Sequence, residues 1–295
     1  MAILKSYLGV ARAPFLLLPV VLVAAGAAAA AFGGQFSWSR TLLALVGLVA
    51  AHVGVNVLNE VSDMRTGIDL HTDRTPFSGG SGTLPGRAMS ARTATVFGLG
   101  ACAVALAIGI WLTARVGWLL VPVMAFGAVA ILFYTDFFAR SGVGEVFAGL
   151  GLGALPVWGA AFVQGGTPRA AAVAAAVPAF FMTFNLLLLN EFPDEEADRL
   201  GGRRNLVLLL GRKRAAVVYA VAALATPAAL GVAVAVRALP AAALVAVVPS
   251  LLLVTPLRWA LAAPEKAVPI PALAANVGWN LATNAVLAVA LAFAA

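Results

Sequence analysis

Residues 59–69 read NEVSDMRTGID, and residues 190–198 read NEFPDEEAD. Each stretch opens on Asn-Glu and places an Asp four residues after the Asn, pairing Asn59 with Asp63 and Asn190 with Asp194. A spacing of four puts both side chains on one face of a helix. Extending the first stripe backward adds Asn56 and His52, and extending the second forward adds Asp198. Carboxylates and amides are hard oxygen donors. They suit Mg²⁺, which takes one or two carboxylates and completes its shell with water and phosphate oxygens. Zinc is poorly served, because the chain has two His and one Cys. Arg65, Arg74, Arg203 and Lys213 stand near the acids, with Arg199, Arg204 and Arg212 beside them. Acids, metal and basic side chains together make a site for a diphosphate. Pro193 falls inside the second stripe and is expected to kink or loosen that helix near its end. His52 on its own has the character of a hydrogen-bonded core residue, although burial in a membrane favours function more than usual.

Elements that carry these residues must cope with lipid. Mean hydropathy is +1.00, and 62% of residues are hydrophobic against 11% charged. A soluble chain of 295 residues cannot hide so much apolar surface. Nine apolar segments are long enough to span a bilayer, at about 14–33, 41–59, 93–114, 117–138, 143–164, 170–190, 214–236, 239–260 and 273–294. Alternating ten-residue strands are absent, so backbone satisfaction in lipid implies an all-α integral membrane protein. The first segment has the length of a full span, which is long for a cleaved signal, and it reads as a retained helix. The whole chain, 1–295, reads as a single transmembrane domain.

Charge sets the expected orientation. With the N-terminus in the cytoplasm and nine alternating spans, fifteen Lys or Arg fall on the cytoplasmic side and four on the other. The sequence pI near 10.5 then reflects topology, and nucleic acid is not a partner. Both acidic loops, about 60–92 and 191–213, are cytoplasmic, and the C-terminus lies opposite. These loops hold nine of the twelve acids, Asp73 included. Asn190 follows Asn59 at the same interval at which Asp194 follows Asp63. Each motif ends the second helix of a four-helix set, which reads as two parallel four-helix repeats plus one helix. On that last helix Asn276, Asn280 and Asn284 recur every four residues and read first as interhelical hydrogen-bonding groups.

NEVSDMRTGID resembles the first motif of the UbiA superfamily of intramembrane prenyltransferases, and it is closest to the MenA-like branch, which prenylates a dihydroxynaphthoate. NEFPDEEADRLGGRRNL resembles the second motif. SGVGEVFAG (141–149) and RAPFLLLP (12–19) resemble further family segments. The resemblance spans most of the chain and implies a nine-helix UbiA-type bundle. It also implies that Asp63, Asp69, Asp194 and Asp198 hold Mg²⁺ on an isoprenyl diphosphate, helped by Asn59 and Asn190. Arg65, Arg74 and Arg203 or Lys213 are the implied diphosphate contacts, with His52 and Asn56 bordering the substrate. The implied reaction moves the prenyl group to a lipophilic or aromatic acceptor, as in quinone and menaquinone biosynthesis. Glu60 departs from the usual Asp, RTPFSGGSGTLPGR (74–87) departs from the MenA-like continuation, and Asp136-Phe137-Phe138 replaces polar residues.

Two other readings compete. A UbiA-type terpene cyclase would keep the diphosphate site and line a closed pocket with aromatic residues, for which Phe133, Tyr134, Phe137, Phe138, Phe180, Phe181 and Phe184 are candidates. A secondary transporter would explain the repeats, but its coupling groups belong near the midplane rather than at helix ends.

Overall fold

The computed structural model describes residues 2–72, 74–133, 137–167 and 169–295; Asp73, Tyr134 and Asp136 lie outside the described residues. The described residues are helical or irregular. Eight helices are long and apolar enough to cross a membrane. In chain order with a shorter ninth, they are α1 (Ala13–Phe32), α2 (Trp38–Thr66), α3 (Ala91–Val116), α4 (Leu120–Phe133), α5 (Gly144–Gly165), α6 (Ala170–Leu200), α7 (Arg212–Ala235), α8 (Ala241–Ala262) and α9 (Ile270–Phe293). A further helix, Ala2–Val10, precedes α1. The fourth expected segment, 117–138, corresponds to only 14 residues of helix. Gly117, with φ of 109°, ends α3 and delays the next helix by a turn.

Two helices are longer than their apolar content suggests, and both carry the acidic motifs. α2 continues past Asn59 to Thr66, where Gly67 (φ 80°) ends it in the left-handed conformation. α6 continues to Leu200 and passes through Pro178 and Pro193 without interruption. The expected loosening at Pro193 is absent. Pro193 removes the ladder bond to the Leu189 carbonyl, while the packing of Phe192 against Trp259 and Arg212 holds the helix at this point. Thus Asn59, Asp63, Asn190, Asp194 and Asp198 stand on rigid helical turns rather than in loops.

Two of the packed regions are the most extensive. α1, α5, α6, α7, α8 and α9 share one core of small residues, mostly Ala, with Leu22, Leu230 and Leu287 at its centre. A second core near the other end of α6 and α7 is built on Phe192, Tyr219 and Trp259. α2 packs most closely on α3, and the segment 67–90 folds back toward the start of α1.

Asn276, Asn280 and Asn284 are all buried in the bundle. Tyr219 donates its hydroxyl to Asn276 Oδ1 at 3.0 Å, Asn276 Nδ2 donates to the Asn185 carbonyl at 3.2 Å, and Asn185 Nδ2 donates to the Tyr219 carbonyl at 3.0 Å. This closed circuit ties α6, α7 and α9 together, as polar groups do where lipid offers no partner. Tyr219→Phe or Asn276→Ala should cost about 0.6 kcal/mol per lost bond, read as a lower midpoint of thermal unfolding in detergent. An unchanged midpoint for both would show that the circuit contributes nothing.

Candidate active site

The two acidic stripes meet through one side chain. The Arg203 guanidinium donates through Nη2 to Asp63 Oδ1 and through Nη1 to Asp198 Oδ1, the latter at 3.0 Å. Asp63 sits on α2 and Asp198 on α6, so two acids from opposite halves of the chain are held within the width of a guanidinium. Asn205 Nδ2 donates to the other Asp198 oxygen at 2.9 Å. Gly201 strengthens the junction: a Cβ there would lie 2.1 Å from Ile68 Cγ1, so only glycine lets the end of α6 close on the first motif.

Asp69 and Asp194 complete the acidic group. Asp69 is buried in the turn after α2, and its Oδ2 has no hydrogen-bond partner. Burial, followed by the negative charges of Glu60 and Asp63, pushes the Asp69 carboxyl up to about 7. Gly80 (φ 72°) passes so close that a Cβ would lie 2.6 Å from Asp69 Oδ1. Asp194 Oδ1 is likewise buried and without a partner, within electrostatic reach of Asp198, Arg203, Arg12 and Asp63. Among the described residues no three His, Cys, Asp or Glu side chains converge tightly enough to chelate a metal alone. Two orphaned carboxylate oxygens beside a paired third and fourth nevertheless fit a hard divalent cation that draws its remaining ligands from a phosphate.

Glu60 serves the scaffold. It is fully buried, pairs with Arg12 Nε at 2.8 Å, and accepts from the Ser81 backbone N–H at 2.6 Å and the Ser81 hydroxyl at 2.7 Å. The longer Glu reaches both the start of α1 and the 67–90 segment. Its counterpart in the second motif, Glu191, instead faces Glu145, whose Oε1 accepts the Leu206 N–H at 2.6 Å. The Glu of SGVGEVFAG therefore anchors the stretch of chain that delivers Arg203 and Asn205.

Of the basic residues named from sequence, Arg203 is central and Arg74 is adjacent, donating to the Asp69 carbonyl at 3.0 Å. Arg65 is exposed on the last turn of α2. Lys213 does not join the acids: it is exposed at the start of α7, 3.9 Å from Glu265. The physical reason lies in its neighbour. Arg212 takes the inward face, bonding Glu195, the Phe192 carbonyl and the 264–266 turn, which rotates Lys213 outward. Arg199 pairs with Glu195 and Glu196 on its own helix, surface contacts worth little. Arg12, which opens the RAPFLLLP segment, carried no expected role at the site. It stands with φ of 52° between Ala2–Val10 and α1, facing the acids.

Below the acids lies a cavity of about 520 Å³. Arg12, Asn59 and Asn190 line its mouth, and Asn56 lines it while donating Nδ2 to the Ala11 carbonyl at 2.9 Å. It runs along α2 from Asn59 to Ala44, or about 22 Å at the helical rise. Its lining is mostly aliphatic and small, with Gly47, Ala51, Gly109, Gly127 and Gly159 among it and with Phe15, Phe77 and Phe147 as its aromatic members. Of the aromatic residues named for a cyclase, the described ones, Phe133, Phe137, Phe138, Phe180, Phe181 and Phe184, do not line it. Phe180, Phe181 and Phe184 face a separate groove with Val217 and Val221, Phe133 and Phe137 are exposed, and Phe138 stacks on Phe147 at 3.6 Å.

A family model described as the UbiA prenyltransferase family matches residues 17–277. The chain belongs to the UbiA prenyltransferase family. It is accordingly an enzyme of prenyl transfer and an integral membrane protein. It is similar to 1,4-dihydroxy-2-naphthoate octaprenyltransferase of Bacillus subtilis, 25% identical over 171 residues, which is 57% of this chain and 54% of that protein. It is also similar to digeranylgeranylglyceryl phosphate synthase of Natronomonas pharaonis, 29% identical over 200 residues, covering 66% and 67% of the two chains. The match thus spans about half the length of the first relative and two thirds of the second. Among solved structures, a UbiA homolog from Archaeoglobus fulgidus bound to GPP and Mg²⁺ has the same fold, with a TM-score of 0.67 at 16% identity over 98% of this chain and 99% of that one. A UbiA homolog from Aeropyrum pernix K1 gives 0.69 at 17% identity, over 94% and 98%.

Removing the cation that joins the stripes should expose their repulsion. Arg203→Ala removes the guanidinium paired with buried Asp63 and Asp198, leaving Arg12 as the cation facing Asp63, and should cost about 3 kcal/mol in metal-free protein. Adding Asp198→Asn should recover part of that loss in chemical unfolding. If the double variant is no more stable than Arg203→Ala, the carboxylates are not electrostatically coupled.

Proposed function

We propose that the chain is a Mg²⁺-dependent intramembrane prenyltransferase that moves a polyprenyl group from an isoprenyl diphosphate to an aromatic acceptor of the kind used in quinone biosynthesis. The observation that carries this is the Arg203 bridge, which brings both acidic motifs to the mouth of a deep aliphatic cavity. The ion would be held by Asp63, Asp69, Asp194 and Asp198, with Asn59 and Asn190 as further oxygen donors. When bound, Mg²⁺ neutralises the diphosphate and makes it a better leaving group.

The chain's own groups do the rest. Arg203, Arg74 and Arg12 donate hydrogen bonds to the diphosphate oxygens, and Arg203 leaves its carboxylates to do so. The cavity takes the prenyl tail and keeps water from the allylic carbon. The bond from C1 to the ester oxygen breaks and its electron pair departs with diphosphate. An electron-rich ring carbon bonds C1, and the ring then loses a proton. A second acceptor class, the free hydroxyl of a prenylglyceryl phosphate, is favoured by the similarity to the Natronomonas enzyme. A cyclase reading would use Phe15, Phe77 and Phe147 of the cavity wall and is tested by product formed without an acceptor, whereas a transporter reading has its acids at helix ends instead of near the midplane.

The bundle acts as one unit over 1–295, with Leu120–Phe133 as the ninth span and the mouth in the cytoplasm beside the N-terminus. The bias of fifteen basic residues against four supports that orientation. Purified protein incubated with Mg²⁺, geranylgeranyl diphosphate and a panel of naphthoic, phenolic and glycerol-phosphate acceptors should form one prenylated product. Asp63→Ala or Asp194→Ala should lower that rate more than about a hundredfold. Full activity in excess EDTA would refute the metal assignment.

A further inference from the structure

Two buried polar groups remain unused by the diphosphate site. His52 lines the cavity from α2 and Thr183 lines it from α6. They are 4% and 2% exposed. His52 Nε2 and Thr183 Oγ1 both lack a hydrogen-bond partner. The two positions are also related by the repeat: Thr183 follows His52 at the same offset that separates Asn59 from Asn190 and Asp63 from Asp194. Each lies two helical turns below its Asn on the same helix, about 10 Å deeper.

Neither group is placed as an idle helix residue would be. Thr66, Thr95 and Thr113 each donate to the carbonyl four residues back, at 2.8–3.1 Å. Thr183 makes no such bond. Thr226 and Thr283 also lack partners, but neither lines the cavity. His52 Nδ1 lies 3.1 Å from the Leu48 carbonyl. A carbonyl only accepts, so Nδ1 carries the proton, and in the uncharged ring Nε2 presents a lone pair. A buried acceptor and a buried hydroxyl left unpaired in an aliphatic cavity cost stability unless a ligand meets them.

We infer that His52 and Thr183 form a second polar subsite that binds the free hydroxyl group of the prenyl acceptor. The inference rests on the prenyltransferase reading and extends it to the acceptor. A hydroxyl proton bonds His52 Nε2, and the Thr183 hydroxyl donates to the same or a neighbouring acceptor oxygen. With the diphosphate at the Asn59–Asn190 level, this holds the acceptor body between the two polar levels, beside the prenyl C1. A phenolic hydroxyl and a glycerol hydroxyl satisfy this chemistry equally.

Direct binding to purified protein in detergent tests the subsite without turnover. The probes are 1,4-dihydroxy-2-naphthoate, a monoprenylated glyceryl phosphate with a free hydroxyl, and the O-methyl form of each. Wild type should bind one hydroxylated probe about five- to tenfold tighter than its methyl form, the worth of a buried hydrogen bond. Which probe shows the preference names the acceptor class. His52→Leu and Thr183→Val should each erase the preference, His52→Gln should keep part of it, and Mg²⁺-dependent binding of inorganic diphosphate, which has no tail to enter the cavity, should stay unchanged in all three. Should His52→Leu fail to fold, Thr183→Val and His52→Gln carry the comparison. No hydroxyl preference in wild type, a preference that survives both apolar variants, or a parallel loss of inorganic diphosphate binding would each overturn the inference. Absence of any prenylated product from wild type would instead sink the enzymatic reading, and the binding comparison would still decide the subsite.

Discussion

Like charges cannot be gathered in a poorly solvated space without a cation among them. Asp63, Asp69, Asp194 and Asp198 are gathered in such a space, and in this structure the cation is the Arg203 guanidinium. Much of the architecture at this end serves that constraint. Asn205 holds the far side of Asp198, Glu145 holds the backbone beside Asn205, and Gly201 lets α6 close on Ile68. Arg203 covers only two of the four acids. Asp69 and Asp194 keep an unpaired buried oxygen each, so the resting site remains under-neutralised. Under the proposed function, Mg²⁺ would supply the missing positive charge to these carboxylates and leave the guanidinium available to the diphosphate.

The two halves have kept the same spacing while dividing the work. In the first, Glu60 ties Arg12, α1 and Ser81 into a collar around the mouth. In the second, the equivalent Glu191 meets Glu145 and helps seat the segment that carries Arg203. Asn59 and Asn190 both line the rim, and the His52–Thr183 pair repeats that relation deeper down. Beyond these levels the cavity is nearly featureless, which suits a prenyl chain that offers nothing but methyls and double bonds. Small side chains provide much of its width, with Phe15, Phe77 and Phe147 among the wall.

Much of this was legible from the residues. Apolar runs located the helices because lipid demands them, and the repeat spacing placed both motifs at one end of the bundle. The stripe through His52, Asn56 and Asn59 proved to face one cavity, because a period near 3.6 survives to the end of α2. The ends of α2 and α6 were misjudged, since hydropathy marks where lipid stops and not where a helix stops. Lys213 and Arg212 could not be told apart, because only the 264–266 turn decides which faces inward. Which face of α6 its aromatic residues occupy was likewise not legible. Phe180, Phe181 and Phe184 sit on α6 as Thr183 and Asn190 do, yet on a face turned toward α7. The roles of Arg12 and Asn205 depended on contacts between distant segments that no local pattern announces.

The central claim is that both motifs grip a single metal–diphosphate group and that Arg203 yields its place to it. Anomalous diffraction from protein crystallised with Mn²⁺ and a non-hydrolysable isoprenyl diphosphate tests this most directly. The account predicts manganese between the two stripes, ligated by carboxylates of both α2 and α6, with Arg203 turned from Asp63 and Asp198 onto the diphosphate. Manganese bound by one stripe alone, with Arg203 still spanning Asp63 and Asp198, would contradict it.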